Sequence, residues 1–391
     1  MTRLSVVLAL LVAVEGFQTP GTTGRVRVAS SPLWKASTSS SETKASSTST
    51  PKTKTLGLLT FDLDDTLYPI DTVIQEANTA FARAMNNYGF TGIQPQDIVE
   101  TSKKIREEMT AENPEAAAAL SHTEIRILAI RREMENVIFH KKLKDTADDW
   151  ATPVSSLSPV VVSHAKKWAS EAVSPSIVQA VMNAWEMERH HAAERHLYQE
   201  VMEVLSQIKK EHPGVIIGAV TDGKANPAFM TFTLAKHFDF CVSWEDDQGA
   251  RRKFFKELAN VEGNAELKWI YKAALDKYQE LASANAALKK GADEDPNKVW
   301  IHVGDDLAYD VGGAASCGAK TILVELADKY GQTARHRFDD TKEQPSWSVT
   351  TKEELKKRFV MNEAAREFVN AKISFLTRLP EAIDDILAQE D

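Results

Sequence analysis

Acidic side chains follow directly after two separate apolar segments of the sequence. Asp62 and Asp64 come after one apolar run of strand length, and Asp305 and Asp310 come after another. An apolar run of this length, ending in polar residues, is typical of a buried strand. Buried parallel strands deliver the residues that follow them to the carboxyl edge of a sheet, where open α/β sheets hold ligands. Two carboxylates as close as those of Asp62 and Asp64 repel each other, so we expect a cation or a shared proton between them.

The first acidic segment resembles motif I of the haloacid-dehalogenase-like (HAD) hydrolase superfamily, Asp-x-Asp-x-Thr after a hydrophobic strand. Asp62, Asp64 and Thr66 occupy its three polar positions, and Leu67, Tyr68 and Pro69 follow. The alternative is an acidic loop after a core strand, since short motifs produce false matches. Other segments of the chain must decide between the two.

Two later segments resemble further motifs of the same superfamily. Thr221 ends the apolar run 215–220, as the Thr or Ser of motif II does, although Thr-Asp-Gly is also a common turn. A hydroxyl and backbone N–H groups there would hold a phosphoryl oxygen. Gly304 and Asp305, with Asp310 five positions further on, resemble motif IV. The resemblance implies that Asp305 reaches a cation and that Asp310 orients a lysine or a metal-bound water.

The cation of motif III is ambiguous in this sequence. The family usually shows Gly-x-x-Lys-Pro, whereas here Gly249 is followed by Ala-Arg-Arg-Lys-Phe, so the proline is missing and the lysine comes one place late. Lys253 is the first choice, with Lys268 and Arg252 as alternatives. The cluster is equally compatible with a solvated basic face.

Residues 70–196 show helical periodicity without a strand-like alternation. Ser121 and Glu124 have capping-box spacing at the start of one helix. An all-helical insertion after motif I resembles the helical cap of one HAD group, which closes over the site and carries much of the substrate selectivity. His190 and His191 are predicted to lie on a solvated helix face rather than in a metal site. The predicted helices are 71–88, 95–112, 121–144, 158–172 and 174–190, followed by 197–210 in the core.

The sequence therefore predicts an α/β fold, a Rossmann-like parallel-sheet core of the HAD type with an inserted all-helical cap. The core is assigned to 56–69 and 197–391, and the cap to 70–196. Later strands are predicted at 215–220, 298–303 and 320–324, with a polar, partly helical excursion over 328–370 and a closing strand and turn over 373–381.

The first 55 residues have the composition of a targeting segment. Residues 1–16 contain a short apolar run after Arg3 and read as a signal peptide, too short to span a bilayer. Residues 17–55 are rich in Ser and Thr, with six basic residues and one acid, and cannot build a core. Together they resemble the bipartite presequence of algae with secondary plastids, so we expect a plastid location, with secretion as the alternative.

Charge and cysteine content limit the partners. The chain of 391 residues has a net charge of −9; residues 1–55 hold seven Lys or Arg and two acids, so the remainder holds 40 basic and 54 acidic residues, a net charge of −14. This charge disfavours nucleic-acid binding, and we expect no membrane partner in the mature form. Only Cys241 and Cys317 are present, which argues against a disulfide framework. The oligomeric state is open.

The HAD resemblance implies an aspartyl-phosphate mechanism. Asp62 would attack phosphorus, and Asp64 would protonate the leaving oxygen and later activate water. Mg²⁺ would be held by the Asp62 carboxylate, the Asp64 main-chain carbonyl and Asp305. Thr221 and Lys253 would stabilise charge on the phosphoryl oxygens. The predicted metal set is Asp62, Asp64, Asp305 and Asp310.

The acid at position 64 argues for a phosphatase or phosphomutase, because a leaving alkoxide needs a proton whereas a halide does not. Dehalogenases of the superfamily lack this acid, and P-type ATPases carry Thr there. We expect a small phosphorylated metabolite as substrate, either a nucleotide monophosphate or a sugar phosphate. Residues 61–69 together with the cap are similar to pyrimidine 5′-nucleotidase-like members. The alternatives are a phosphomutase of the same fold and a catalytically inactive HAD-fold binding or assembly protein.

Overall fold

The structure, a computed structural model, describes part of the chain. The predicted presequence up to residue 53 and the basic segment with Lys253, Lys268 and Arg252 lie outside the described residues. Thr55 already belongs to the first strand, so the core begins one residue before the predicted boundary. The described residues are 54–146, 154–245, 269–289, 297–330, 332, 345–350 and 352–389.

Six parallel strands form one sheet in the order β3-β2-β1-β4-β5-β6. This confirms the predicted α/β class with a parallel core. Strand β3 was not predicted, because a four-residue run is too short for a clear periodic pattern. The strands are β1 Thr55–Phe61, β2 Ile216–Thr221, β3 Phe240–Ser243, β4 Lys298–Gly304, β5 Lys320–Val324 and β6 Ala371–Ile373.

Strand β1 lies in the middle of the sheet between β2 and β4. Phe61 pairs with Ala219 on one side and with Val303 on the other. The Asp62 amide donates to the Val303 carbonyl at 2.9 Å, which continues the pairing one residue past β1. After β1 the chain adds β2 and β3 on one side of β1, and then adds β4 on its other side. The strand order therefore reverses at β1 and β4, and a crevice opens between the carboxyl ends of these two strands.

An all-helical cap is inserted between β1 and β2. Its interior has its own cluster of buried side chains, including Phe81, Ile130 and Trp185, separate from the clusters on the sheet. The short helix Pro114–Ala119 was not predicted and is an addition to the predicted set. The cap helices are α1 Ile70–Asn87, α2 Pro95–Glu112, α3 Pro114–Ala119, α4 His122–Thr146, α5 Pro159–Ala172 and α6 Pro175–Arg195.

The start of α4 shows the predicted capping box. The Glu124 amide donates to the Ser121 hydroxyl at 3.1 Å, and the Ser121 amide donates to the Glu124 carboxylate at 2.8 Å. The reciprocal bonds satisfy two backbone donors that the helix cannot pair itself, and they fix where the longest cap helix begins.

Helices cover both faces of the sheet, as an all-parallel sheet requires. On one face, Leu205 and Ile383 pack with Val303; on the other, Tyr271 and Ala274 pack with the strands. The predicted 373–381 strand and turn is instead the end of β6 followed by a helix. The remaining helices are α7 Val201–Glu211, α8 Trp269–Lys289, α9 Ala327–Tyr330, α10 Lys352–Ala365 and α11 Leu379–Ala388. Within the described residues, no helix combines the length and the apolar composition that crossing a bilayer demands.

Candidate active site

Three aspartates converge at the carboxyl edge of the sheet. One carboxylate oxygen from each of Asp62, Asp305 and Asp310 lies within 4.8 Å of the others. Asp62 follows β1, Asp305 follows β4, and Asp310 lies in a π-helical turn, Leu307–Gly313. The Thr66 hydroxyl lies 3.2 Å from Asp305 Oδ1, to which it donates, and 3.5 Å from Asp62 Oδ2. The motif I and motif IV segments therefore meet in one site.

Negative charge accumulates in this buried group. Burial raises the pKa of Asp62 well above its usual value, and the nearby charges of Asp310, Asp305, Asp222 and Asp64 raise it further. A hard divalent cation takes oxygen ligands, so the three carboxylates fit Mg²⁺ by their chemistry. Bound there, Mg²⁺ would offset the repulsion between the carboxylates and keep Asp62 ionised.

Asp310 is held by three hydrogen-bond donors. Its Oδ1 accepts from the Tyr271 hydroxyl at 3.1 Å and from His302 Nε2 at 3.2 Å. Its Oδ2 accepts from the Asp306 amide at 2.9 Å. The carboxylate orientation is therefore fixed by α8, β4 and the loop after β4 together.

A buried relay lies behind His302. The Trp300 indole N–H donates to the Thr60 hydroxyl at 2.8 Å, and that hydroxyl lies 2.8 Å from His302 Nδ1. When the hydroxyl donates to Nδ1, the neutral imidazole carries its proton on Nε2 and donates to Asp310, so every group in the relay is satisfied. Sequence reasoning missed Tyr271 and His302. The available signal for His302 was that it is a polar residue inside the otherwise apolar run of strand β4.

Close approaches explain two glycines of the site. A Cβ atom on Gly304 would lie 2.2 Å from the Asp310 carboxyl carbon. A Cβ atom on Gly223 would lie 2.8 Å from Arg189 Nη2 and 2.9 Å from Asp64 Oδ2. Neither position tolerates a side chain unless the neighbouring charged group moves.

The Asp64 carboxylate forms an ion pair with Arg189 of α6, and both side chains are buried. It does not join the three-aspartate group formed by the described residues. The pair joins the end of β1 to the last helix of the cap, across 125 positions of sequence. Sequence reasoning missed Arg189, because an arginine among Glu and His residues reads as part of a solvated helix face.

The prediction that His190 and His191 lie on a solvated helix face was wrong for His190. His190 is only 4% exposed. Its Nδ1 donates to the Glu186 carbonyl at 2.8 Å, and its Nε2 accepts from the Asn226 amide at 3.1 Å. Burial, followed by the charge of Arg189, lowers the pKa of His190 to about 4. The side chain packs because α6 lies on the loop after β2, whereas His191 is exposed as predicted.

Thr221 ends β2 as a fully buried residue. Its hydroxyl accepts from the Gly223 amide at 3.2 Å, which shapes the turn that brings Gly223 against Asp64. The predicted contact of Thr221 with a phosphoryl oxygen stays a prediction, and so does the role of Lys253, which lies outside the described residues.

A cavity of about 390 Å³ adjoins Asp64 between cap and core. Cap residues such as Arg126 and Trp185 line one side, and core residues such as Asp222 and Glu245 line the other. A volume in this range accommodates a small organic molecule. The cavity therefore reaches the acidic site through Asp64.

Comparison with known proteins agrees with this arrangement. Residues 267–355 match a family model described as HAD-hydrolase-like, and the matched segment contains Asp305 and Asp310. No curated protein matches the chain.

Several solved structures are similar to this chain. They include a 2-haloacid dehalogenase from Pseudomonas syringae pv. Tomato DC3000 (19% identity, TM-score 0.43, 85% of this chain and 99% of that one). An HAD phosphatase from Thermococcus onnurineus is 13% identical (TM-score 0.34, 84% and 98%). The HAD-hydrolase YfnB from Bacillus subtilis, bound to magnesium, is 11% identical (TM-score 0.34, 85% and 100%). Residues 267–355 are therefore similar to the HAD-hydrolase-like family, and the chain combines a six-stranded parallel sheet with a helical insertion after β1.

Proposed function

We propose that this protein is a Mg²⁺-dependent phosphatase that hydrolyses a small phosphomonoester through an aspartyl-phosphate intermediate. The observation that carries the proposal is the convergence of Asp62, Asp305 and Asp310 within 4.8 Å, beside Asp64 and its cavity. Mg²⁺ would be held by these three aspartates, and it would supply positive charge against the phosphate and the carboxylates.

In the first step, a carboxylate oxygen of Asp62 attacks phosphorus. A bond forms between Asp62 and phosphorus, and the bond from phosphorus to the leaving oxygen breaks. Asp64 gives its proton to that oxygen, so the product leaves as an alcohol rather than an alkoxide. The hydrogen bonds from His302 and Tyr271 keep Asp310 from turning away from the site.

In the second step, water attacks the phosphorus of the aspartyl-phosphate. Asp64, now ionised, accepts a proton from this water, and inorganic phosphate leaves Asp62 as a free carboxylate. The ion pair with Arg189 favours the ionised form of Asp64 that this step uses. The negative charge of a bound substrate acts in the opposite direction and favours the protonated form that the first step uses.

The cap and the cavity support a small substrate over a phosphoprotein. A nucleotide monophosphate or a sugar phosphate fits a cavity of about 390 Å³, whereas a protein surface would meet the cap helices first. The likeness of residues 61–69 to pyrimidine 5′-nucleotidase-like sequences is the support for including pyrimidine nucleotides among the candidates.

Release of inorganic phosphate from a panel of nucleotide, sugar and aromatic phosphomonoesters tests the proposal. We expect turnover with Mg²⁺ and its loss with EDTA. Asp62→Asn should abolish turnover without unfolding the protein, because an amide cannot attack phosphorus as a carboxylate does. A folded wild-type protein with no turnover on any ester would contradict the proposal, and an active Asp62→Asn variant would assign the nucleophile elsewhere.

A further inference from the structure

We propose that the cavity beside Asp64 binds a second acidic group of the substrate through Arg189 and Arg126. The preferred substrates would then be phosphomonoesters that also carry a carboxylate or a second phosphate. The inference rests on the proposed function and narrows its substrate class.

Arg189 lines the cavity and has hydrogen-bond donors that no protein group among the described residues accepts. Its side chain is 3% exposed, and one terminal nitrogen, Nη2, bonds Asp64. Within the described residues, its Nε and Nη1 atoms are buried without a hydrogen-bond partner. A guanidinium carries five N–H donors, and leaving buried donors unsatisfied is unfavourable. An anion in the cavity that Arg189 lines would accept these bonds.

Arg126 of α4 brings a second guanidinium to the same place. Its guanidinium carbon lies 3.9 Å from the centre of the Trp185 ring, and that of Arg189 lies 5.8 Å from the same centre. Burial lowers the pKa of Arg126 to about 10; Glu245 acts in the opposite direction, and the charge of Arg189 lowers the pKa further. The two buried cations repel each other, and an anion bound in the cavity that both of them line would offset that repulsion.

The described lining of the whole cavity is positively charged on balance, like its two arginines. Its acidic lining consists of Asp64, Asp222 and Glu245, of which Asp64 pairs with Arg189. Among the basic residues, Arg358 pairs with Asp306, which is outside the lining. The described lining therefore has twice as many basic residues as acidic ones. The basic residues are Arg106, Arg126, Arg189, Lys224, Lys357 and Arg358.

The positive charge of the cavity lies apart from the place where the phosphoryl group would be transferred. Asp62, Asp305 and Asp310 do not line the cavity, whereas Asp64 does. The phosphate attacked by Asp62 therefore lies at one end of the substrate, and the arginines of the cap face its other end. Guanidinium groups bind carboxylate and phosphate through paired hydrogen bonds, which makes an acidic group the matching ligand.

Trp185, which lies beside both arginines, is not available to stack on a nucleobase. The ring is 2% exposed, and the Arg126 guanidinium covers it. Its indole N–H already donates to Asn78 at 2.9 Å. The Trp185 ring is therefore closed to base stacking, and the single phosphate of a nucleoside monophosphate, placed at Asp62, would leave the two guanidinium groups without an anion.

Two matched pairs of substrates test the inference. We would compare kcat/KM for 3-phosphoglycerate with that for glycerol 3-phosphate, and for fructose 1,6-bisphosphate with that for fructose 6-phosphate. The acidic member of a pair should be preferred by about tenfold or more, the range of a charge-assisted hydrogen bond. The pair that shows the preference tells whether the second group is a carboxylate or a phosphate.

Arg126→Met should reduce this preference to about one, mainly through a higher KM for the acidic member, since methionine retains an apolar contact with Trp185 but no donor. Arg132→Met is the matched control on the same helix. Arg132 bonds Glu108 at 2.8 Å on the surface and does not line the cavity, so the preference should persist.

Hydrolysis of p-nitrophenyl phosphate separates this inference from the proposed function. If that ester is hydrolysed and neither pair shows a preference, the inference is wrong and the proposed function stands. If no ester is hydrolysed, the proposed function fails. Calorimetric binding of each pair to Asp62→Asn then decides the inference, and equal affinities within both pairs would overturn it.

Discussion

Asp310 shows how strongly one side chain of the site depends on its neighbours. Tyr271, His302 and the Asp306 amide all donate to it, and Trp300 reaches it through Thr60 and His302. Groups behind a metal ligand orient it and tune its affinity for the ion. Tyr271 and the relay through His302 therefore support the acidic group through Asp310, although none of them lines the cavity.

Removing one donor from Asp310 should weaken Mg²⁺ binding. Tyr271→Phe deletes the hydroxyl that lies 3.1 Å from Asp310 Oδ1 and keeps the ring. We expect the Mg²⁺ concentration for half-maximal activity to rise by about tenfold, the lower end for such orienting groups. Titration of phosphate release with Mg²⁺ measures it. Tyr88→Phe, at an exposed position, should change nothing, and an unchanged titration for Tyr271→Phe would show that this hydroxyl does not support Mg²⁺ binding.

Gly304 should be intolerant of even one methyl group. In Gly304→Ala, the added Cβ would lie 2.2 Å from the Asp310 carboxyl carbon, so Asp310 or β4 must move. We expect a loss of about 1–3 kcal/mol of unfolding free energy together with most of the activity. Gly312→Ala is the comparison, because its Cβ would lie 3.1 Å from the nearest atom, the Ala365 methyl. Thermal unfolding and phosphate release should rank the two variants in that order.

At the scale of elements, α6 connects the cap to the core. Trp185 packs inside the cap, Arg189 pairs with Asp64, and His190 accepts from the Asn226 amide. Further along, Glu194 accepts from the Phe232 and Thr233 amides. This one helix therefore contacts the interior of the cap, Asp64 and the loop after β2, so displacing it would alter all three.

The buried His190 should make stability depend on pH. Its folded pKa of about 4 lies below the usual 6.5, so the folded state binds fewer protons than the unfolded state between these values. The stabilisation is complete above pH 6.5 and is lost as the pH falls towards 4, by at most about 3 kcal/mol. Urea unfolding of wild type and His190→Gln at pH 7.5 and pH 4.5 measures the difference. His191→Gln, at an exposed position, should retain the wild-type dependence, and parallel curves for all three proteins would contradict the prediction.

At the scale of the whole molecule, the acidic site brings together carboxylates that are distant in sequence, and their mutual repulsion is unfavourable. Asp62 and Asp305 follow directly after the two central strands, β1 and β4, and lie 243 positions apart in the sequence. Burial and mutual repulsion both disfavour their charged forms. A bound cation would offset this repulsion and would link the two halves of the sheet through Asp62 and Asp305.

Mg²⁺ should therefore stabilise the fold, because it binds the folded site and not the unfolded chain. At about a hundredfold excess over its dissociation constant, the gain is roughly 2.7 kcal/mol. Asp305→Asn should raise the melting temperature in EDTA, since it removes a charge from the group, and should abolish the Mg²⁺ shift. Calorimetry of both proteins with EDTA and with Mg²⁺ checks this. A Mg²⁺ shift of equal size in the variant would place the ion elsewhere.

The fold was largely predictable because its signals are local. Apolar runs of strand length, helical periodicity and the Ser121 capping box each depend on residues close in sequence, and each reappears in the structure within a few positions. The shortest elements, β3 and α3, were missed because a few residues carry no periodic pattern. The order of the elements then placed Asp62 and Asp305 at the same sheet edge, since parallel strands end together.

The sequence by itself determined the parallel core, the helical insertion and the acidic strand ends. Only the tertiary structure decided that Arg189 reaches Asp64 and that His190 is buried, because both lie in a polar stretch of helix whose local pattern indicates a solvated face. Burial of such residues depends on how the cap packs on the core, and that contact joins positions 125 apart. The same packing creates the basic cavity, in which charges that look ordinary along the chain become neighbours.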